Sequence, residues 1–170
     1  GATLTLIGRN PSKLASTCSA LRASTGNPNI HEVVADTGDL RALRGAAAML
    51  LARHPQIHVL IHNAGALDEV RQESPQGTEL TVASQVVGPV LLTELLLPAL
   101  RAGAPSRLLW VSSGGMYSEP LSVSQLEMTP GDYDGVKAYA RAKRAQVTLT
   151  ELYAERLRAD GVMVHAMHPG

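Results

Sequence analysis

The sequence predicts an α/β protein built on a doubly wound parallel sheet, and three observations support this class. Short β-prone apolar runs alternate along the 170 residues with longer segments in which apolar residues recur at helical spacing. Most of these short runs lack polar alternation, as strands do when both faces of their sheet are covered. They end in glycine, asparagine, aspartate or serine, which terminate strands. Strands that alternate with helices are joined by right-handed crossovers, so the strands are expected to be parallel.

The first part of the chain holds three predicted strands and two predicted helices. The strands are the apolar runs at 3–7, 30–35 and 57–61. The first helix begins at Pro11, whose fixed φ suits a first helical position, and ends before Gly26. The second begins after Asp39, whose side chain can cap it, and runs to about Arg53.

The second part holds two long helices separated by a strand and a long loop. The first helix covers about 77–100, and the strand at 108–111 follows it. Residues 119–133, rich in serine and proline, form the only long loop, and long loops in compact domains tend to be functional or mobile. The second helix covers about 135–158 and leads to the last strand at 162–166. There is no internal repeat and no linker, so 1–170 is expected to form one domain.

Composition excludes several classes of protein. Hydrophobic residues make up 45 %, which favours a folded chain, and 15 basic residues against 15 acidic ones give a formal net charge of +0. Such a balance provides no global attraction to nucleic acid, which is not expected as a partner. The apolar stretch at 86–100 is interrupted by two prolines, so we expect it to be too short and too broken for a membrane span. A soluble, cytoplasmic protein is expected.

No metal site is expected from the cysteine and histidine content. Cys18 is the single cysteine, which rules out an internal disulfide and a cysteine-based zinc site. His54, His58 and His62 recur every four residues, but this stretch passes from a helix end through Pro55 into a strand. Residues four apart share a face only within a helix, so the three imidazoles are not expected to converge.

Ligands of an open parallel sheet bind at the carboxyl ends of its strands. The residues that follow the predicted strands are Arg9, Asp36, Asn63 to Gly65, Ser112 to Gly115, and Pro169 with Gly170. Nearby, Tyr139 and Lys143 are four residues apart on a helix and therefore share one face. An ammonium beside a phenol stabilises the phenolate, and such a tyrosine can exchange a proton with a carbonyl oxygen while a cofactor moves hydride. Tyr133 and Lys137 have the same spacing, which is also typical of a solvated helix face.

The order of these motifs along nearly the whole chain resembles the short-chain dehydrogenase/reductase family. The matching stretches are Asn63-Ala64-Gly65, Trp110-Val111-Ser112-Ser113, Tyr139 to Lys143, and His168-Pro169-Gly170. The runs at 112–116 and 143–147 resemble the dehydrogenase/reductase member 12 branch of that family. The resemblance implies an NAD(P)-binding Rossmann-like fold and an oxidoreductase that interconverts an alcohol and a carbonyl compound by hydride transfer.

The resemblance also implies roles for catalytic residues. Ser113 would hold the substrate oxygen, Tyr139 would be the acid and base, and Lys143 would bind the nicotinamide ribose. The family has an asparagine on its long central helix three residues before a glycine. Counting back from Gly88, this sequence has Gln85 there, an amide one methylene longer, and reduced activity is expected.

The cofactor would be held by strand-end residues, which the resemblance gives as Asn63, Ala64, Gly65, Tyr139, Lys143, Pro169 and Gly170. Arg9 stands where family members that use NAD tend to have an acidic residue, and a guanidinium suits a 2′-phosphate, so NADP is expected rather than NAD. The alternative is that Arg9 caps a surface loop. Asp36 matches the aspartate that touches adenine, and it can also serve as a turn residue.

The sequence departs from the family most at its ends. The glycine-rich turn that cradles the pyrophosphate is not found, because Gly1 to Leu4 match the residues leading into the family's second strand. The missing strand is central in the order 3-2-1-4-5-6, so its two neighbours would have unpaired edges. The chain stops at Pro169-Gly170, before the last strand. We therefore expect a partial domain, incomplete at both ends, that is part of a longer enzyme and inactive alone.

An alternative function is a non-catalytic chain that keeps the fold as an interaction module, as Gln85 and the absent glycine turn suggest. For the enzyme, Trp110 and Tyr117 favour a small lipophilic substrate. Family analogy suggests a homodimer through the two long helices.

Overall fold

Five strands alternate with helices in the computed structural model, which describes all 170 residues. The strands are β1 (Leu4–Gly8), β2 (Ile30–Val34), β3 (Val59–His62), β4 (Ser106–Val111) and β5 (Val162–Met167). The helices are α1 (Pro11–Thr25), α2 (Leu40–Arg53), α3 (Leu80–Val82), α4 (Gly88–Ala102) and α5 (Gly135–Leu157). A π-helical turn (Ala83–Val87) joins α3 to α4, and three short 3₁₀ helices cover Gly114–Ser118, Val123–Gln125 and Arg158–Asp160.

The strands form two separate parallel sheets. β1 pairs with β2, and the other three strands are ordered β3-β4-β5. The inner edges of β1 and β3 are unpaired, as expected for an incomplete doubly wound sheet. The predicted fold class is therefore confirmed.

Side-chain caps set the beginnings of the major helices. Asn10 accepts from the Lys13 amide ahead of α1, and Asp39 accepts from the Arg41 amide ahead of α2. Asp134 does the same for α5 through the amides of residues 136 and 137. These caps explain why the three predicted starts agree with the structure.

The central helix begins later than predicted and is more continuous. It starts at Leu80 because the Glu79 carboxylate caps it, whereas Gly77 has a φ of 81°, outside the helical region. It then runs through Pro89 and Pro98 to Ala102, with a mean hydropathy of 1.7. The expectation that this stretch is too short and broken for a span is therefore wrong, since its length and composition would suffice. However, 61 % of its most apolar window is buried inside the fold, as in the core helix of a globular domain.

The central helix joins two hydrophobic clusters. Leu92 and Leu96 pack beneath β2 with Leu43 of α2, whereas Leu97 and Leu100 pack with residues of β4, β5 and α5. Both sheets are thereby fixed to one helix, and their carboxyl ends face the same region of the molecule.

Candidate functional site

Lys143 is the buried centre of the candidate site. This residue lies on α5, and only 2 % of its surface is exposed to solvent. The ammonium Nζ donates to the Val111 carbonyl at the end of β4 (2.8 Å) and to Gln146 Oε1 (3.2 Å). Loss of water around the ammonium lowers the pKa of Lys143 to about 8. The site therefore holds a desolvated cation that carries no carboxylate partner.

Tyr139 lies beside this cation. The predicted spacing on α5 places the Lys143 Nζ 5.3 Å from the centroid of the Tyr139 ring. The Ser112 hydroxyl donates to the Lys143 carbonyl (3.1 Å), which ties α5 to the end of β4. Ser113 follows and is partly buried; its Oγ accepts from the Gly115 amide (3.2 Å). The tyrosine, the lysine and the serine thus all lie around the carboxyl end of β4.

The loop after β3 closes over the ammonium. Asn63, Ala64 and Gly65 are exposed. A Cβ added at Gly65 would lie 3.2 Å from both Lys143 Nζ and Gln85 Oε1, so a side chain at this position would crowd both groups. Gln85 is buried; its Nε2 donates to the Ala66 carbonyl (2.6 Å), and its Oε1 has no partner.

The first sheet contributes Arg9 and Asp36 from adjacent strand ends. Arg9 is exposed after β1, and Asp36 Oδ1 accepts from the Gly38 amide (2.8 Å), so the predicted turn role of Asp36 is present. This turn rests on the central helix, since a Cβ at Gly88 would lie 2.0 Å from the Thr37 carbonyl oxygen. Pro169 and Gly170 are exposed after β5.

The second tyrosine–lysine pair has separate structural contacts. The Tyr133 hydroxyl donates to the Asp68 carbonyl (3.2 Å), whereas the Lys137 ammonium lies 4.0 Å from Asp134. The shared spacing therefore does not bring this phenol and ammonium into one functional group.

The long loop is attached to its neighbours by two arginines. Arg141, which lies between Tyr139 and Lys143 on α5, pairs with Glu119 (2.9 Å) and donates to the Gln125 carbonyl (2.8 Å). Arg71 donates to the Met128 carbonyl (2.9 Å). The loop is thus held at its beginning and along its middle, next to the carboxyl edge of the sheet.

The three evenly spaced histidines lie in different surroundings and do not converge. His54 lies 3.1 Å from the Thr5 hydroxyl, and His58 is exposed. His62 is buried, with Nε2 2.7 Å from the Thr93 Oγ1 and its ring 4.5 Å from Trp110. Burial lowers the pKa of His62 to about 3, so its imidazole is neutral in the folded protein.

A cavity of about 240 Å³ opens beside Ser113. Its walls are mainly apolar and include Met116, Tyr117, Val147 and Met167. It lies at the carboxyl ends of β4 and β5, where a substrate of an open parallel sheet is expected.

Comparison with known proteins identifies the family. The family model described as short chain dehydrogenase matches residues 1–170. The chain belongs to the short-chain dehydrogenase family. The predicted resemblance is thereby confirmed, and the chain is a member of a family of oxidoreductases.

Individual members of the short-chain dehydrogenase family show the extent of the match. The Homo sapiens dehydrogenase/reductase SDR family member 12 is 32 % identical over 170 residues, which are 100 % of this chain and 53 % of that protein. Retinol dehydrogenase 13 from Homo sapiens is 30 % identical over 170 residues, which are 100 % of this chain and 51 % of that protein. The chain thus spans about half the length of the curated relatives it matches.

A solved structure confirms the fold. L-sorbose reductase from Gluconobacter frateurii, crystallised with NADPH and L-sorbose, superposes with a TM-score of 0.79 at 19 % identity, over 100 % of this chain and 60 % of that one. A likeness at this identity shows the short-chain dehydrogenase fold.

Sequence reasoning did not assign a role to Gln146 or to the Val111 carbonyl, although both contact the lysine ammonium. The available signal for Gln146 was its position three residues after Lys143 on a helix, which places the two side chains on one face. The Val111 carbonyl had no signal in the sequence, because its role depends on where β4 ends relative to α5.

Proposed function

We propose that this chain supplies the catalytic residues of an NADP-dependent oxidoreductase that interconverts an alcohol and a carbonyl compound. The observation that carries the proposal is the buried Lys143 ammonium, fixed by the Val111 carbonyl and adjacent to the Tyr139 ring. A desolvated cation without a carboxylate partner is costly to bury, so its retention beside a tyrosine favours a functional explanation.

The residues present fit the ribose of a nicotinamide cofactor. Gln85 Oε1 is a buried acceptor that lacks a donor. The Lys143 ammonium has three N–H donors and uses two of them within the protein. A ribose hydroxyl both donates and accepts, so it can satisfy both groups. The loop residues Asn63, Ala64 and Gly65 would lie alongside it.

The chemistry divides between the cofactor and the chain. When bound, the nicotinamide supplies the hydride that the carbonyl carbon gains. The Tyr139 hydroxyl gives its proton to the carbonyl oxygen, which completes the alcohol, and the Ser113 hydroxyl donates a hydrogen bond to the same oxygen. The Lys143 ammonium stabilises the negative charge left on the Tyr139 oxygen. In the oxidising direction the same proton returns to Tyr139.

Arg9 supports NADP over NAD. Its guanidinium is exposed at the end of β1 and forms no ion pair, so it is available to a 2′-phosphate. The neighbouring Asp36 carboxylate already accepts from the Gly38 amide, and Asp36 would contact the adenine end. Pro169 and Gly170 would lie near the nicotinamide.

A lipophilic substrate is part of the proposal. The apolar cavity beside Ser113 supports it, as does the name of one relative, retinol dehydrogenase 13. Cytoplasmic location stays a prediction from the sequence. A homodimer through the long helices also stays a prediction, and Leu152 of α5, 58 % exposed, offers apolar surface for it.

A pair of tyrosine variants tests the proposed reaction. The assay uses the protein in the form that its natural source produces. It follows the oxidation of NADPH with a series of aliphatic and aromatic aldehydes as substrates. Tyr139→Phe is expected to lower turnover by about a thousandfold, because the proton donor is lost. The matched control Tyr133→Phe removes a hydroxyl with structural contacts only and should retain turnover. Equal activity of both variants would contradict the proposal, and an absence of NADPH binding by the unaltered protein would favour a non-catalytic interaction module.

A further inference from the structure

Gln146 connects the lysine ammonium to the central helix. Its side chain is 1 % exposed on α5. Its Oε1 accepts from Lys143 Nζ (3.2 Å), and its Nε2 donates to the backbone carbonyl of Gln85 (2.7 Å). One buried amide therefore joins the ammonium to a helix that is distant in the sequence.

The Gln85 carbonyl is available because of a local break in the helical bonding pattern. An α-helical carbonyl accepts from the amide four residues later, but here that residue is Pro89, which has no N–H. The same stretch is the π-helical turn Ala83–Val87, in which the Gly88 amide donates to the Ala83 carbonyl five residues back. A buried carbonyl without a donor costs about 1–3 kcal/mol, and Gln146 supplies the donor.

The orientation of the Gln146 amide is fixed by its partners. An ammonium only donates and a carbonyl only accepts, so the amide oxygen must face Lys143 and the amide nitrogen must face Gln85. The other groups that face the ammonium are the Val111 carbonyl, the Tyr139 ring and the Gly65 loop. No carboxylate pairs with it. Gln146 therefore contributes one of the two acceptors that hold this cation.

We propose that Gln146 is a positioning residue, which fixes the Lys143 ammonium beside Tyr139 by bridging it to the carbonyl released at the π-helical turn. The proposal rests on the proposed oxidoreductase function for its effect on turnover. Its structural part, control of the Lys143 ammonium, does not depend on activity.

Three variants separate this role from packing. Gln146→Leu keeps most of the volume and removes both polar ends. Gln146→Glu keeps an oxygen toward Lys143 but cannot donate to the Gln85 carbonyl. The matched control is Thr150→Val, also buried on α5, which removes the hydroxyl that donates to the Gln146 backbone carbonyl (2.8 Å).

The deciding readout is the titration of Lys143, followed by NMR in protein isotopically labelled at the lysine Cε and assigned with Lys143→Arg. Removal of an acceptor destabilises the ammonium, so Gln146→Leu is expected to lower the Lys143 pKa by about one unit. Gln146→Glu is expected to raise it by about one unit, because a carboxylate then faces the cation. Thr150→Val should leave it unchanged.

Turnover gives the second readout. Gln146→Leu should lower kcat about tenfold with little change in the KM of the carbonyl substrate, and the pH profile should move with the Lys143 titration. An unchanged Lys143 titration in both Gln146 variants would overturn the proposal. If Gln146→Leu does not fold, the shift in Gln146→Glu decides alone. If the unaltered protein has no NADPH-dependent activity, the proposed function fails, whereas the titration still decides the role of Gln146.

Discussion

The two sheets of this molecule end in very different surroundings. At the carboxyl end of β3, β4 and β5, Lys143, Gln85 and Gln146 are buried and joined by hydrogen bonds of 2.6–3.2 Å to one another and to nearby backbone carbonyls. At the end of β1 and β2, Arg9 is exposed and Asp36 bonds only within its own turn. The same strand–helix repeat therefore produces one organised end and one open end.

Under the proposed function, this difference indicates which part of the chemistry the chain prepares in advance. Proton transfer requires groups held within a few tenths of an ångström, which the buried network around Lys143 can do. Recognition of a charged phosphate by an exposed surface guanidinium needs less prior order. The two ends are connected mainly through the central helix, against which the Thr37 turn is packed at Gly88.

The largest expected effect comes from breaking this connection. In Gly88→Ala, the new Cβ would meet the Thr37 carbonyl oxygen at 2.0 Å, and backbone cannot move aside cheaply. We expect a loss of about 3 kcal/mol in the free energy of unfolding, measured by urea denaturation. Gly45→Ala is the control: it lies in α2 with nothing near its Cβ and should stabilise the protein by about 0.5 kcal/mol. Equal stability of the two variants would show that the sheets are not joined at Gly88.

Much of the fold could be predicted because its signals are local. Asp39 caps a helix and Pro11 begins one through contacts within a few residues, and both starts agree with the structure. The π-helical turn was not predicted. Pro89 indicates that one backbone hydrogen bond of the helix is missing, but it does not determine which helix geometry results. The strand-end residues, Tyr139 and Lys143 could be found from spacing. Gln146 shares a helix face with Lys143, but its bridging role could not be predicted, because the Gln85 carbonyl reaches it only through tertiary packing.

A second prediction concerns pH and the organised sheet. The pKa of His62 is about 3 in the folded protein against 6.5 for an ordinary histidine, so the unfolded chain binds a proton that the folded chain does not. The contribution of His62 to the free energy of unfolding is therefore fully present above pH 6.5 and is lost as the pH falls toward 3. Between pH 7 and pH 5 we expect a loss of about 2 kcal/mol in the free energy of unfolding, measured by urea denaturation at each pH.

Histidine variants provide the comparison for this loss. His62→Gln should flatten the pH dependence between these values, whatever it does to stability at neutral pH. The exposed His58→Gln should keep the original dependence. If His62→Gln and the unaltered protein show the same pH dependence of stability, titratable groups other than His62 cause the loss.

The smallest expected effect tests the open end. Arg9→Glu should weaken NADPH binding about tenfold while leaving the affinity for NADH within about twofold, because only NADPH carries the 2′-phosphate. Arg107→Glu is the control, since Arg107 is exposed at the opposite, amino end of β4. Isothermal titration measures both affinities. If the two variants lose NADPH affinity equally, Arg9 acts through general charge and not through the phosphate.

The most direct test of the central claim is a measurement of NADPH affinity. It uses the protein in the form that its natural source produces and compares it with a variant that lacks the Lys143 ammonium. Lys143→Met replaces the buried ammonium with an apolar side chain of similar length, and Lys137→Met does the same at an exposed position on α5. We predict saturable NADPH binding that is weakened about tenfold or more by Lys143→Met and unchanged by Lys137→Met. Absence of NADPH binding, or equal affinity in both variants, would contradict the assignment of this site to a nicotinamide cofactor.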